Sequence, residues 1–182
     1  MEKFILFGIL SVPSVYFSWR ALFSVKSHGF YRFFGWEGLI WLFTSNYTFW
    51  FHEPFSANQI ISWIFLLISA YLAFAGFFIM RKQEKSAALR DDKTLFHFEK
   101  TTVLIKSCVF RYIRHPLYGS LIYLTWGICL KNPLLANVGV ALLSTILFYI
   151  TSRYDEKECT AYFGEEYKNY MKKNRMFIPF VF

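Results

Sequence analysis

The stretch "RYIRHPLYGS", Arg111–Ser120, sets three basic side chains (Arg111, Arg114 and His115) and a proline directly ahead of an apolar run. Proline at the first position of a helix costs nothing, because the N–H it lacks has no partner there. Pro116 therefore starts a helix and His115 sits near its N-cap. The free N–H groups and positive dipole end at that point attract an anion, and the arginines just before it strengthen the field. The same residues suit a plainer role as an anchor, their long side chains reaching up to lipid headgroups. What surrounds the motif separates the two.

Of the 182 residues, 55% are hydrophobic and 23% aromatic, and only 18% are charged. A soluble domain is nearer 45–50% apolar and about 25% charged. Five apolar runs stand out: Phe4–Trp19, Phe33–Phe51, Ile60–Met80, Leu117–Leu130 and Pro133–Ser152. A spanning helix needs roughly 20 apolar residues, which the second, third and fifth runs supply. The first contains Pro13, which a bilayer helix tolerates when neighbours satisfy the freed carbonyl. It reads as a retained helix, since no small-x-small cleavage site follows it. The fourth covers only ~21 Å of a ~30 Å core, so it starts earlier, near Val109, or its charged end faces a protein-lined cavity. The pattern predicts an all-α integral membrane protein with about five transmembrane helices and a cytoplasmic C-terminal helix. Residues 1–80 form three N-terminal transmembrane helices and 81–116 a cytoplasmic connecting loop leading to "RHP". Residues 117–152 form a helical hairpin turning at "KNP", and 153–182 a tail that completes a site.

With five crossings, every one of the 20 lysines and arginines except Lys3 and Lys131 falls on one side. The excess of Lys and Arg marks that side as cytoplasmic, with the N-terminus opposite and the C-terminus cytoplasmic. The net charge of +8 is then a topology signal, and no nucleic-acid partner is implied. Cys108, Cys129 and Cys159 lack CxxC spacing and read as small apolar residues. His28, His52 and His97 have no metal-ligand spacing and read as interfacial, so no metal is expected. Glu37, just inside the second run, is either a functional group or half of an interfacial ion pair.

Asp155, Glu156 and Glu158 follow the fifth run on the same side as "RHP". A hairpin brings its two ends together, so these carboxylates and the motif's cations meet across one cavity. The plainer alternative is a solvated helix face with i,i+3 pairing such as Arg153 with Glu156. "EKSAALRDD" suits a solvated helix, whereas the β-branched "KTTVLIKSCVF" suits an extended segment entering the site. In the tail, Phe163, Tyr167, Tyr170 and Met171 share one helical face, suited to a membrane surface or to folding back over the core.

The order "TVLIKSCVFRYIRHPLYGS … WGICLKNP … RYDEKECTAYFGEEYKNYMKKNRMFIP" resembles the isoprenylcysteine carboxyl methyltransferase family and the related phospholipid methyltransferases. The likeness runs from about Thr102 to Pro179. The family's Arg-His-Pro-x-Tyr falls on Arg114, His115, Pro116 and Tyr118. Its paired glutamates fall on Asp155 and Glu156, and its Phe-Gly and following tyrosines on Phe163, Gly164, Tyr167 and Tyr170. Two glycines of the pattern are absent: Ser120 stands two residues after the motif tyrosine, and Cys108-Val109-Phe110 replaces a glycine-x-tyrosine.

The resemblance implies a multispan methyltransferase that uses S-adenosylmethionine, with Arg114 and Glu156 as catalytic candidates. It implies a cofactor site of Arg114, His115, Pro116, Tyr118, Asp155, Glu156 and Tyr167. In such a site Arg114, His115 and the helix N-terminus hold the cofactor carboxylate, Glu156 accepts from the ribose or ammonium, and Tyr118 and Tyr167 face adenine or the sulfonium. The acceptor is lipophilic and enters from the bilayer. A carboxylate such as that of an isoprenylcysteine needs no general base, and no base is evident in the sequence. The alternatives are a lipid N-methyltransferase and a silent binding protein of the same fold.

Overall fold

The computed structural model describes residues 1–84 and 102–179. The expected "EKSAALRDD" helix beyond Glu84, His97, and Phe180–Phe182 lie outside the described residues. Six α-helices carry the fold: α1 (Glu2–Leu22), α2 (His28–Asn46), α3 (Ala57–Glu84), α4 (Pro116–Cys129), α5 (Leu135–Phe163) and α6 (Glu165–Lys173). Short 3-10 turns at Tyr47–Phe49 and Cys108–Arg111 join them, and the described residues contain no strand beyond one isolated bridge. The helices pack in the spatial order α1, α2, α5, α4, α3.

The bundle is apolar outside and polar within. Ile60, Ile64, Leu67, Tyr71, Phe74 and Phe78 form an exposed stripe down α3, and Ile5, Ile9, Val12 and Tyr16 do the same on α1. Inside lie Thr44, Asn46, Ser62, Thr125, Asn137 and Ser144, all buried. Water would reverse that arrangement; hydrocarbon favours it, since small and polar side chains bind helices together where apolar burial gives no drive. Some of these groups reach backbone carbonyls of a neighbouring helix: Ser62 Oγ donates to Gly127 O (2.6 Å) and Asn46 Nδ2 to Ile128 O (2.9 Å), as does the buried Ser69 Oγ to Ser120 O (2.8 Å).

Three helices, α1, α3 and α5, are long and apolar enough to cross a membrane. The five expected crossings are therefore met by three on length and composition. The second apolar run begins earlier than expected and stops at Asn46, so Arg32 lies within α2, buried against Trp36, rather than in a loop. The 14-residue α4 rises only ~21 Å and starts at Pro116, not Val109. Its charged end faces the protein, the second of the two expected possibilities. The 29-residue α5 rises about 44 Å, longer than a ~30 Å core.

At the other end of α4 the turn is anchored. Lys131, expected in the hairpin turn, is buried there: Nζ donates to Gln59 Oε1 at 2.9 Å and sits 3.8 Å from the Trp63 ring centroid. Burial lowers its pKa from the ordinary lysine value. Of the cysteines, Cys129 is buried as expected, whereas Cys108 is exposed and Cys159 half-buried.

Close helix contact sets the α2–α5 spacing. A Cβ on Gly35 would stand 2.6 Å from the ring of Phe148, which is fully buried. Gly35→Ala is expected to cost about 1–3 kcal/mol by overpacking, read as a lower thermal unfolding midpoint in detergent. Phe148→Leu in the same chain should recover part of the loss; a Gly35→Ala midpoint equal to wild type would show that the two helices do not touch there.

Candidate active site

The connection into α4 is held by the chain's C-terminal end. After α6 the backbone runs beside the motif: Arg175 N–H donates to Tyr112 O (3.3 Å), Arg114 N–H to Arg175 O (2.8 Å) and His115 N–H to Met176 O (3.2 Å). The bridge between Ile113 and Arg175 is part of this strap. Tyr170 Oη and Asn174 Nδ2 both donate to Phe110 O, at 2.5 and 3.2 Å. The tail therefore folds back over the core rather than lying apart on a membrane surface, with Tyr167 and Tyr170 buried. The turn from α5 into α6 needs Gly164, whose φ of 61° lies in the left-handed region, open to glycine at little cost.

Inside this frame the motif meets the acids. Arg114 Nε donates to Glu156 Oε1 at 2.9 Å, and Nη2 lies 2.7 Å from the same oxygen. Arg114 Nη1 donates to the carbonyls of Met171 and Asn174. Arg153 Nη1 takes the other oxygen of Glu156 at 2.7 Å, so the i,i+3 pair and the cross-cavity pair coexist. His115 Nδ1 is 3.3 Å from Asp155 Oδ2, and its Nε2 is 3.5 Å from Glu156 Oε1, where it makes no hydrogen bond. Burial pulls the His115 pKa down, but the two carboxylates outweigh it and hold the value above the ordinary histidine range. Burial also keeps the phenol of Tyr167 neutral, well above its usual value, and pushes Tyr170 up to about 12.

Over these groups opens a cleft of ≈ 100 Å³, narrower than the ~300–1,000 Å³ usual for ligand sites. Arg114, His115, Pro116, Tyr118, Asp155 and Tyr167 all line it. Glu156, the seventh expected residue, is buried behind the wall and reaches the cleft only through Arg114 and His115. Leu104 and Ile105 line the opposite wall from a non-helical segment, in the place expected of "KTTVLIKSCVF".

Sequence reasoning missed Cys159, Phe163 and Tyr170 on the wall, and His28. Cys159 and Phe163 lie one and two turns beyond Asp155, a spacing that signals a shared helix face. His28, expected at the interface, is fully buried, and ligand atoms of His28, Asp155 and Glu158 lie within 4.8 Å of one another. No signal in the sequence marks it. Of the missing family glycines, the first has a structural consequence: Cys108 holds a φ of 52°, a conformation that is costly with a side chain. Ser120 sits in α4 without such strain, its Oγ donating to Leu117 O at 2.6 Å.

The model of the phospholipid methyltransferase family matches residues 64–166, more than half of the chain. The chain belongs to the phospholipid methyltransferase family. The match runs from within α3 to the start of α6 and takes in the motif, the hairpin and the acid-bearing turn. Two similar proteins are the methanethiol S-methyltransferases of Pseudomonas deceptionensis and of Crocosphaera subtropica (strain ATCC 51142 / BH68). The first is 28% identical over 119 residues, which are 65% of this chain and 42% of that protein. The second is 33% identical over 86 residues, 46% of this chain and 32% of that protein. The matched part of the chain thus spans less than half the length of these relatives. No solved structure matches.

The charged pairing of His115 gives a pH test. Its folded pKa is raised above the ordinary value of ~6.5, so its contribution to stability is complete below that value and is lost as pH rises through the folded pKa. Removing the titrating group by His115→Gln should flatten the fall of the unfolding midpoint above pH ~6.5. Equal alkaline slopes in the two proteins would dissociate His115 from the acids.

Proposed function

We propose that this family member is a membrane methyltransferase that binds S-adenosylmethionine in the Arg114–Asp155 cleft and methylates a lipophilic acceptor entering from the bilayer. We also propose that α2 and α4 join the three longer helices as crossings, with the N-terminus non-cytoplasmic and the C-terminus and cleft cytoplasmic. The observation that carries the reading is His115 Nε2: buried, without a hydrogen bond, and beside a cleft lined by Tyr118 and Tyr167. Glu156 Oε1, 3.5 Å away, pairs with this nitrogen by charge but makes no hydrogen bond to it, and an acceptor group on a ligand is what would supply that bond.

The residues fit the cofactor. His115 and the first-turn N–H groups of α4 suit its carboxylate. Asp155, on the cleft wall, suits its ammonium. Tyr118 and Tyr167, kept neutral by burial in the second case, offer ring faces to adenine or to the sulfonium. When bound, S-adenosylmethionine supplies an electrophilic methyl group whose transfer needs chiefly proximity and alignment. Arg114 and Glu156 act from behind: their pair, with the carbonyls of Met171 and Asn174, fixes the strap and the start of α4 against the acid-bearing turn of α5.

Two observations favour a thiol over a carboxylate as the acceptor's nucleophile. The guanidinium of Arg114 is spent on Glu156 and two carbonyls, so it offers little to a second carboxylate. Both relatives are named for methylation of a thiol. The isoprenylcysteine-type carboxylate is the second reading, supported by the motif order, and a lipid amine the third.

Calorimetric titration with S-adenosylmethionine tests the site. His115→Ala and Glu156→Gln should each bind about 10- to 150-fold more weakly, the equivalent of ~1.5–3 kcal/mol for a hydrogen bond to a charged group. Lys172→Ala, on the exposed face of α6, should bind like wild type. Wild-type affinity in both site variants would remove them from the site. Membranes incubated with methyl-labelled cofactor then sort the acceptors: a thioether keeps its label in mild alkali, whereas a methyl ester releases methanol. Released label would reinstate the carboxylate, and label on a headgroup nitrogen would select the amine.

A further inference from the structure

We propose that His28 is a positioning residue for the cofactor site, and that α2, which lies ahead of the family-matched stretch, is thereby part of that site. The inference rests on the reading of the cleft as a cofactor pocket. Glu158 stands one turn beyond Asp155 on α5, and both of its oxygens are held by one residue of α2: the His28 backbone N–H donates to Oε1 at 3.1 Å, and Nδ1 lies 2.7 Å from Oε2. One turn further along α2, the Tyr31 ring stacks on Tyr154 at 4.9 Å between centroids. The first turn of α2 thus grips α5 at residues 154 and 158, on either side of Asp155 and Glu156.

That grip does two things for the cleft. It fixes the rotation of α5 at these turns, and so fixes which way Asp155 faces His115. It also sets the His28 ring beside two carboxylates, those of Glu158 and Asp155, whose oxygens lie within 4.8 Å of one another and would repel without it. Capping α2 does not require it, because Ser27 Oγ already accepts from Gly29 N–H at 3.2 Å. A metal role for His28, Asp155 and Glu158 is the weaker reading of the same cluster. Both oxygens of Glu158 are engaged by His28, and Asp155 is paired with His115.

The test uses the full chain in detergent, with His28→Ala, His28→Asn, Glu158→Ala and the Ala/Ala double variant. Asparagine places an amide N–H where the Nδ1 of histidine stands, and it keeps the backbone contact. Losing the clasp should weaken S-adenosylmethionine binding about tenfold in each Ala variant, with the double variant no weaker than the singles because the pair acts as one unit. His28→Asn should stay within about twofold of wild type. If His28→Ala does not fold, Glu158→Gln, which keeps the shape and loses the charge, carries the same comparison. Wild-type affinity in the Ala variants would overturn the proposal, because a merely structural clasp lowers the unfolding midpoint and leaves binding alone. An Asn variant as weak as the Ala variant would overturn it too, by showing that the ring itself is needed. Zinc chloride binding to wild type that His28→Asn abolishes would replace the clasp with a metal site. A wild type that does not bind S-adenosylmethionine would overturn the cofactor reading and this inference together, whereas binding by wild type and His28→Ala alike overturns this inference alone.

Discussion

Glu156 carries a carboxylate into the interior, where an unpaired charge costs several kcal/mol or more. Two arginines and a histidine answer it. Arg153 arrives from one turn earlier on the same helix, Arg114 from the start of α4, and His115 from the residue beside it. Each partner has a further duty. The remaining N–H groups of Arg114 secure the strap after α6, and the other ring nitrogen of His115 meets Asp155. Three separate segments (the entry to α4, the late turns of α5 and the chain's C-terminal end) therefore converge because one buried carboxylate requires it. Removing either member of the central pair leaves a buried charge without its closest buried partner, which is why residues off the cleft wall govern residues on it.

The bundle below this site obeys a different solvent. Serine and asparagine side chains donate to carbonyls of neighbouring helices, while isoleucine, leucine and aromatic rings face outwards. Lys131 shows how far the interior accommodates polarity: it lies in an aromatic slot against Trp63 with Gln59 as its acceptor. At that end of the molecule the α4–α5 turn is fastened by a cation, and at the other end the same pair of helices is fastened by a carboxylate. The short α4 is thus held at both ends although it is too short to cross a bilayer unaided.

Much of this was legible in the sequence. Pro116 after two arginines and a histidine is a helix start with anion-binding character whatever the fold, and the hairpin that follows brings the chain back beside it. What escaped was whatever depends on long-range packing. Nothing in "SHGFYR" says that His28 will face Glu158 rather than headgroups, because the pairing exists only once α2 lies along α5. The strap escaped for a related reason: its bonds to Tyr112–His115 are backbone bonds, and backbone carries no sequence signature. The length of α2 was misjudged because the run past Asn46 stays apolar while the helix gives way to a 3-10 turn.

The departures from the family pattern fall into place on the same grounds. A glycine at 108 would take the left-handed backbone without strain; cysteine adopts it at a cost of order 1 kcal/mol, and the entry to α4 keeps its course because Phe110, two residues on, accepts from both Tyr170 and Asn174. The geometry at the motif is therefore set by the tail that ties it down more than by the residue that begins the turn. The matched stretch holds the motif and the acids, whereas α1 and α2 lie ahead of it. A division of labour follows from that boundary. The motif and the acids belong to the matched stretch, and the grip on the acid-bearing turn comes from a helix outside it.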